Sequence, residues 1–152
     1  MTNFFSSNYK VIHLPTLSIT SANMEPINAK EFDGLIFTSA NAVRFLQLKN
    51  DEKNIKCFCV GNITERSLRL KGFTNTVAAS GTVNALKNII LNSEKKIKNL
   101  AYLCGDVVSY DLDKDLKLSG FKVKKIINYT SSKITDLNSE SLDLIKKYPP
   151  DV

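Results

Sequence analysis

The chain has 152 residues, 43% of them hydrophobic and 24% charged, with a formal charge of +6. That length suits about one domain with a real core, and no apolar run approaches the roughly 18 residues that span a bilayer. The charge comes mostly from Lys, with Arg44, Arg66 and Arg69 as the arginines; its spread along the chain is unlike a clustered nucleic-acid-binding arm and suits attraction of an acidic small molecule, although an AT-rich genome accounts equally well for the Lys, Asn and Ile. The N-terminal residues show no basic stretch followed by an apolar one, so no signal peptide is expected and the predicted location is the cytoplasm.

Tyr9–Leu14 is a predicted strand closed by Pro15. Asp33–Phe37 is a second, and its continuous apolarity points to burial on both faces, as in parallel sheets. From Ser39 the apolar residues Ala42, Val43, Phe45 and Leu46 recur at helical spacing, with Ser39 or Asn41 as cap. Lys56–Val60 is a strand and Asn62–Lys71 a helix, ended by Gly72. Thr74–Ala78 is a short strand, Thr82–Asn92 a helix, and Leu100–Cys104 a strand. Tyr110–Ser119 is a helix closed by Gly120, Phe121–Tyr129 a strand, and Asn138 or Ser139 opens a last helix ending at Tyr148. Strand–helix alternation with short links predicts an α/β fold: a parallel, flavodoxin-like sheet with helices on both faces.

Cys57, Cys59 and Cys104 are odd in number. Cys57 and Cys59 alternate along one strand, and His13, the single histidine, is distant in sequence, so buried free thiols are expected and no metal site. His13 is read as a structural strand residue. Asp111, Asp113 and Asp115 read as the solvated start and face of a helix, and Glu94–Lys98 as a solvated helix end.

The informative feature is the set of small polar segments just after the strands: Thr38-Ser39-Ala40-Asn41, Gly61-Asn62-Ile63-Thr64, Ala79-Ser80-Gly81-Thr82, Cys104-Gly105-Asp106 and Tyr129-Thr130-Ser131-Ser132. In an open parallel sheet these gather at the carboxyl edge, where ligands bind. Gly permits close backbone approach, Ser and Thr supply hydroxyls, and free N–H groups favour an anion. Each loop alone is also what ordinary caps and turns require. No dinucleotide fingerprint, P-loop or Ser-His-Asp triad is present.

At these strand ends the sequence resembles the uroporphyrinogen-III synthase family. The resemblance rests on Asp33-Gly34-Leu35-Ile36-Phe37-Thr38-Ser39-Ala40-Asn41-Ala42-Val43; on Val60-Gly61-Asn62-Ile63-Thr64 with Leu68 and Lys71-Gly72-Phe73; and on Leu103-Cys104-Gly105-Asp106 with Leu116, Ser119-Gly120-Phe121 and Tyr129-Thr130. It covers about residues 9 to 152. It implies a cofactor-free cyclisation in which hydroxymethylbilane, an acidic linear tetrapyrrole, loses its hydroxyl, the last pyrrole ring is inverted and the macrocycle closes to uroporphyrinogen III. Tyr129 is then the catalytic candidate, assisting hydroxyl departure. Thr38, Ser39, Gly61, Thr64, Ser80, Gly81 and Gly105 are the expected contacts to substrate carboxylates.

Family members are expected to have two similar α/β domains joined by two strands and to be monomeric. On that pattern residues 33–127 form one complete domain, 1–20 and 134–152 are pieces of the other, and 21–32 and 128–133 connect them. The family's opening Thr-Arg-Pro-like turn and second Phe-Thr-Ser-like motif have no counterpart here, which predicts a shortened chain with impaired activity that self-associates. The alternatives are a non-catalytic flavodoxin-like module binding a small anion, an inactive remnant, or an interaction protein whose terminal pieces pair with another chain. No nucleic acid or membrane partner is expected.

Overall fold

The computed structural model describes residues 15–22, 24–135 and 139–149. The predicted strand over Tyr9–Leu14, with His13 in it, lies outside the described residues. The elements in chain order are β1 (Leu17–Ser21), a 3₁₀ turn (Ala29–Glu31), β2 (Gly34–Phe37), α1 (Ala40–Arg44), β3 (Lys56–Cys59), α2 (Asn62–Leu70), β4 (Thr76–Ala78), α3 (Val83–Leu91), β5 (Asn99–Gly105), α4 (Leu112–Leu118), β6 (Lys122–Lys133) and α5 (Ser139–Lys147).

The sheet runs β1-β6-β5-β2-β3-β4. The pairs β5–β6, β5–β2, β2–β3 and β3–β4 are all parallel. Counted from β2, the parallel strands follow the order 3-2-1-4-5, where flavodoxin has 2-1-3-4-5. Both orders share the decisive property: the chain winds outward on one side of a strand and then returns to its other side. Here that reversal lies between β2 and β5.

Two compact units divide the chain, one comprising residues 1–18 and 132–152, the other 19–131. In the first, the Ile134 N–H donates to the Thr16 carbonyl at 3.0 Å, and α5 is followed by a Tyr148 N–H donating to the Leu144 carbonyl. The second holds the parallel sheet. There the Ala22 N–H donates to the Asn128 carbonyl at 3.2 Å, and the Thr20 and Thr130 hydroxyls meet at 3.0 Å. Residue numbers that rise on one strand as they fall on the other mark an antiparallel pairing of β1 with β6. β1 is an element the sequence reading does not contain, although Leu17 and Ile19 alternate with Ser18 and Thr20. Pro15 reads there as the end of a strand, whereas Pro is also tolerated just before one.

The two-residue period of the strands divides the core. Leu35, Phe37, Cys57, Cys59, Ala101 and Leu103 face Ala42 and Val43 of α1 and Leu68 of α2. Ile36, Phe58, Leu100, Tyr102 and Cys104 face Leu86 and Ile90 of α3 and Leu112 and Leu116 of α4. Each such buried aliphatic or aromatic side chain contributes about 1.5–3 kcal/mol. Cys57 and Cys59 do share a face, and Cys104 lies on the other. Burial pushes the Cys57 thiol up to about 12, and those of Cys59 and Cys104 to about 11.

Local signals set the helix ends. The Ser39 hydroxyl accepts from the Asn41 N–H at 3.1 Å, and Thr82 accepts from the Ala85 N–H at 3.1 Å. Gly72 and Gly120 sit at positive φ, 89° and 87°. After each, a phenylalanine N–H bonds back into the helix, Phe73 to Leu68 and Phe121 to Leu116, while its ring is buried. This is the Schellman closure that Gly-Phe after a helix allows. At the end of α1 the Lys71 ammonium takes the cap's place, donating to the Arg44 carbonyl at 3.0 Å.

Two acidic expectations are corrected. Asp113 is 6% exposed, not solvated; one of its oxygens pairs with Lys117 at 3.1 Å and the other has no partner among the described residues. It lies one residue after Leu112 and three before Leu116, inside the arc of α4 that faces the core. Glu94–Lys98 is a turn leading into β5, closed by the Ile97 N–H on the Glu94 carbonyl, with Ile97 buried. Among the described residues no helix is long and apolar enough to cross a membrane.

Candidate functional site

At the carboxyl end of the sheet, Phe37 of β2 stands in register with Leu103 of β5. Beyond that pair the chain leaves β2 for α1 on one face and β5 for α4 on the other. A crevice must open where neighbouring strands send their connections to opposite faces. It is a cleft of about 170 Å³ lined by Thr38, Ser39, Val83, Tyr102, Gly105, Val107, Val108, Ser109, Tyr110 and Tyr129. Among the described residues no charged side chain lines it; its polar groups are hydroxyls and backbone.

Tyr129 is fixed by a bulge. Cys104 pairs with Ile127, but Gly105 pairs with Tyr129, so Asn128 is the extra residue. Val123 packs against the α3/α4 core, and unbroken alternation would put Tyr129 on the same face. The bulge instead packs it with Ile126 against the α1/α2 core. Asn128 is fully buried, and its amide donates to the Ala42 carbonyl at 2.7 Å.

The Tyr129 ring lies directly on Gly105. A Cβ there would come within 2.7 Å of the ring and 3.0 Å of the hydroxyl. On another side Phe45, just after α1, stacks on it with centroids 6.5 Å apart. Asp106 ties the flanking segments together: its N–H donates to the Tyr129 carbonyl, and its carboxylate accepts from the Val107 and Ser131 N–H groups at 3.0 and 3.1 Å. The carboxylate at this strand end therefore holds backbone in place.

Two further tyrosines complete the cleft. Tyr102, 2% exposed, reaches from β5 toward the strand ends, where its hydroxyl meets that of Thr38 at 3.0 Å. Burial, opposed in part by the Thr38 hydrogen bond, pushes its phenol up to about 12. Tyr110 donates to Asp115, which also binds Lys87 at 2.6 Å; that acceptor raises the proton affinity of Tyr110.

Of the residues singled out from the sequence, Thr38, Ser39, Gly105 and Tyr129 meet in this cleft. The Ser39 hydroxyl also caps α1, where it accepts from the Asn41 N–H. Gly61 and Gly81 are neighbours farther along the same edge, where a Cβ on Gly61 would meet the Gly81 Cα at 3.4 Å and the Gly81 N–H donates to the Val60 carbonyl at 2.8 Å. Ser80 is exposed beside them. Thr64 is 4% exposed on the inner face of α2, withdrawn from the surface by its i,i+4 position relative to Leu68. Tyr102 and Tyr110 escaped sequence reasoning. For Tyr102 the available signal was a lone phenol inside a buried strand, since a buried tyrosine hydroxyl needs a partner.

The sequence profile of the family described as Uroporphyrinogen-III synthase HemD matches residues 4–152. The chain belongs to the uroporphyrinogen-III synthase family. The structure is similar to that of uroporphyrinogen-III synthetase from Helicobacter pylori, at 26% identity and a TM-score of 0.63, covering 92% of this chain and 63% of that one. It also resembles in fold a mutant uroporphyrinogen III synthase from Thermus thermophilus, at 17% identity and a TM-score of 0.54, over 87% of this chain and 56% of that one. The chain thus spans less than two thirds of the length of either neighbour. A comparison with curated proteins gave no match.

Proposed function

We propose that the chain acts in tetrapyrrole biosynthesis as a uroporphyrinogen-III synthase, a lyase of the hydro-lyase type working on hydroxymethylbilane in the cytoplasm. The observation that carries this reading is the Tyr129 phenol, fixed against Gly105 in a cleft of hydroxyl groups at the switch point of a family sheet. In this reading the Tyr129 hydroxyl donates to the departing hydroxyl oxygen of the substrate, which leaves as water, and takes a proton back when the macrocycle has closed. The backbone and hydroxyls around Thr38, Ser39, Gly61, Ser80, Gly81 and Gly105 hold substrate carboxylates along the same edge. A formal charge of +6 favours the approach of an octacarboxylate. Three buried free thiols suit a reducing compartment.

Two measurements test it. Anaerobic titration with uroporphyrinogen III should show saturable binding. Incubation with hydroxymethylbilane, followed by oxidation and chromatographic separation of isomers, should show type III product, lowered on the order of 100-fold in Tyr129→Phe with binding retained. Spontaneous type I product alone, together with no binding of uroporphyrinogen III, would overturn the reading. Binding without any type III product would favour the small-anion-binding module instead.

A further inference from the structure

We propose that Thr38 and Tyr102 act as one unit at the floor of the cleft, in which Tyr102 donates to Thr38 and thereby turns the Thr38 hydroxyl hydrogen outward toward a carboxylate oxygen of the ligand. The inference rests on the reading of this cleft as a tetrapyrrole site and names a positioning residue within it.

The geometry begins with β5. Tyr102 stands opposite Ile36 of β2, among the side chains of the α3/α4 core. Its ring is enclosed, and its hydroxyl reaches the Thr38 hydroxyl at 3.0 Å, where both residues line the cleft. A buried phenol must place its single hydrogen on an acceptor. Thr38 supplies one. A hydroxyl has one hydrogen and two acceptor positions, so Thr38 can receive from Tyr102 and still donate elsewhere. The half-buried Thr38 is the member of the pair nearer solvent, so its own hydrogen is left for a ligand. A hydroxyl that accepts one hydrogen bond is polarised into a better donor for the next.

The phenol is also held in its neutral, donating form. Its burial disfavours the phenolate, and the nearby Cys104, Asp113 and Tyr129 raise its proton affinity further. Asp113 is itself enclosed, with one oxygen unpartnered among the described residues. With no lysine or arginine among the described residues that line the cleft, a donor of this kind is how it can hold a carboxylate while leaving the Tyr129 hydroxyl free for the leaving group.

The test is a double-mutant cycle read by anaerobic uroporphyrinogen III titration. Thr38→Val should weaken binding about tenfold, as expected for a hydrogen bond to a charged group. Tyr102→Phe, which keeps the ring, should weaken it about threefold, as expected for loss of one neutral hydrogen bond. The double variant should bind no more weakly than Thr38→Val alone, and Thr38→Ser should restore binding. Additive losses, or unchanged binding in Tyr102→Phe, would overturn the proposal. A second arm separates it from the tetrapyrrole reading: citrate titrated into 3-fluorotyrosine-labelled protein. The Tyr102 fluorine resonance, assigned as the one lost in Tyr102→Phe, should move with citrate in the native protein and stay still in Thr38→Val. A resonance that ignores both citrate and uroporphyrinogen III overturns the unit. Movement with citrate but no uroporphyrinogen binding upholds the unit and overturns only the tetrapyrrole reading.

Discussion

The two edges of the parallel sheet carry clefts of opposite character. At the amino edge a cleft of about 440 Å³ is lined by Lys30, Asp33, Glu52, Lys56, Glu94 and Lys96 among others. Its charges are largely spent within the protein: Lys30 pairs with Glu52, Lys96 with Glu94, and Asp33 accepts the N–H groups of Lys98 and Asn99. The carboxyl-edge cleft is less than half that size and holds no charged side chain among the described residues, yet it gathers three tyrosines and a threonine. The larger cleft is thus the charged one and the smaller the one rich in hydroxyls. The crossover reversal opens the crevice at the carboxyl edge, where hydroxyls rather than charges line it.

That contrast can be sharpened by experiment. The largest expected effect concerns the interior between the two edges. If both clefts are surface features over a closed core, a thiol reagent at pH 8 should modify Cys57, Cys59 and Cys104 at least about 100-fold more slowly in the folded than in the unfolded chain. The same burial sets a pH dependence. The Cys57 thiol rises from its ordinary 9.0 to about 12 on folding. Above pH 9 the unfolded chain loses this proton first, so the folded chain binds more protons than the unfolded one, and the unfolding free energy falls as pH rises from 9 toward 12. Below pH 9 this contribution is complete and flat. Denaturant titrations at about pH 8 and about pH 10.5 check the sign; rapid labelling at the lower pH would show that a cleft opens into the core.

Gly105→Ala should come next. Its Cβ would strike the Tyr129 ring, which has Phe45 against it, so a cost of about 1–3 kcal/mol is expected together with weakened uroporphyrinogen III binding. Gly34→Ala is the control from the other end of the sheet. Its Cβ would sit 3.1 Å from Leu100 and from the Lys56 carbonyl, which predicts a loss of about 1 kcal/mol with binding unchanged. Equal effects of the two on binding would abolish the distinction between the edges. The smallest effect should come from Lys30→Ala, because its partner Glu52 is half exposed and such pairs are worth little; the unfolding free energy should stay within about 0.5 kcal/mol and ligand binding should not move.

Legibility in the sequence tracks the range of the interactions. Helix caps at Ser39 and Thr82, and the Gly-Phe closures after α2 and α4, are contacts within a few residues and are readable as such. The division of Cys57 and Cys59 from Cys104 comes from strand period together with packing on opposite faces. Thr64 misleads because a hydroxyl in a strand-end motif says nothing of which side of the next helix it faces. Asp113 misleads for the same reason, since one turn of α4 decides between solvent and core.

The sequence by itself determined an alternating α/β fold, its buried thiols and the set of polar strand ends, because periodicity and capping act over one or two turns of chain. Only the tertiary structure decided which of those strand ends line one cleft. The return of β5 beside β2 brings Gly105 to Thr38 across a long separation in sequence. One extra residue at Asn128 turns Tyr129 to the other face of the sheet. Neither the pairing order nor the bulge leaves a local mark, since both are settled by packing between strands distant along the chain.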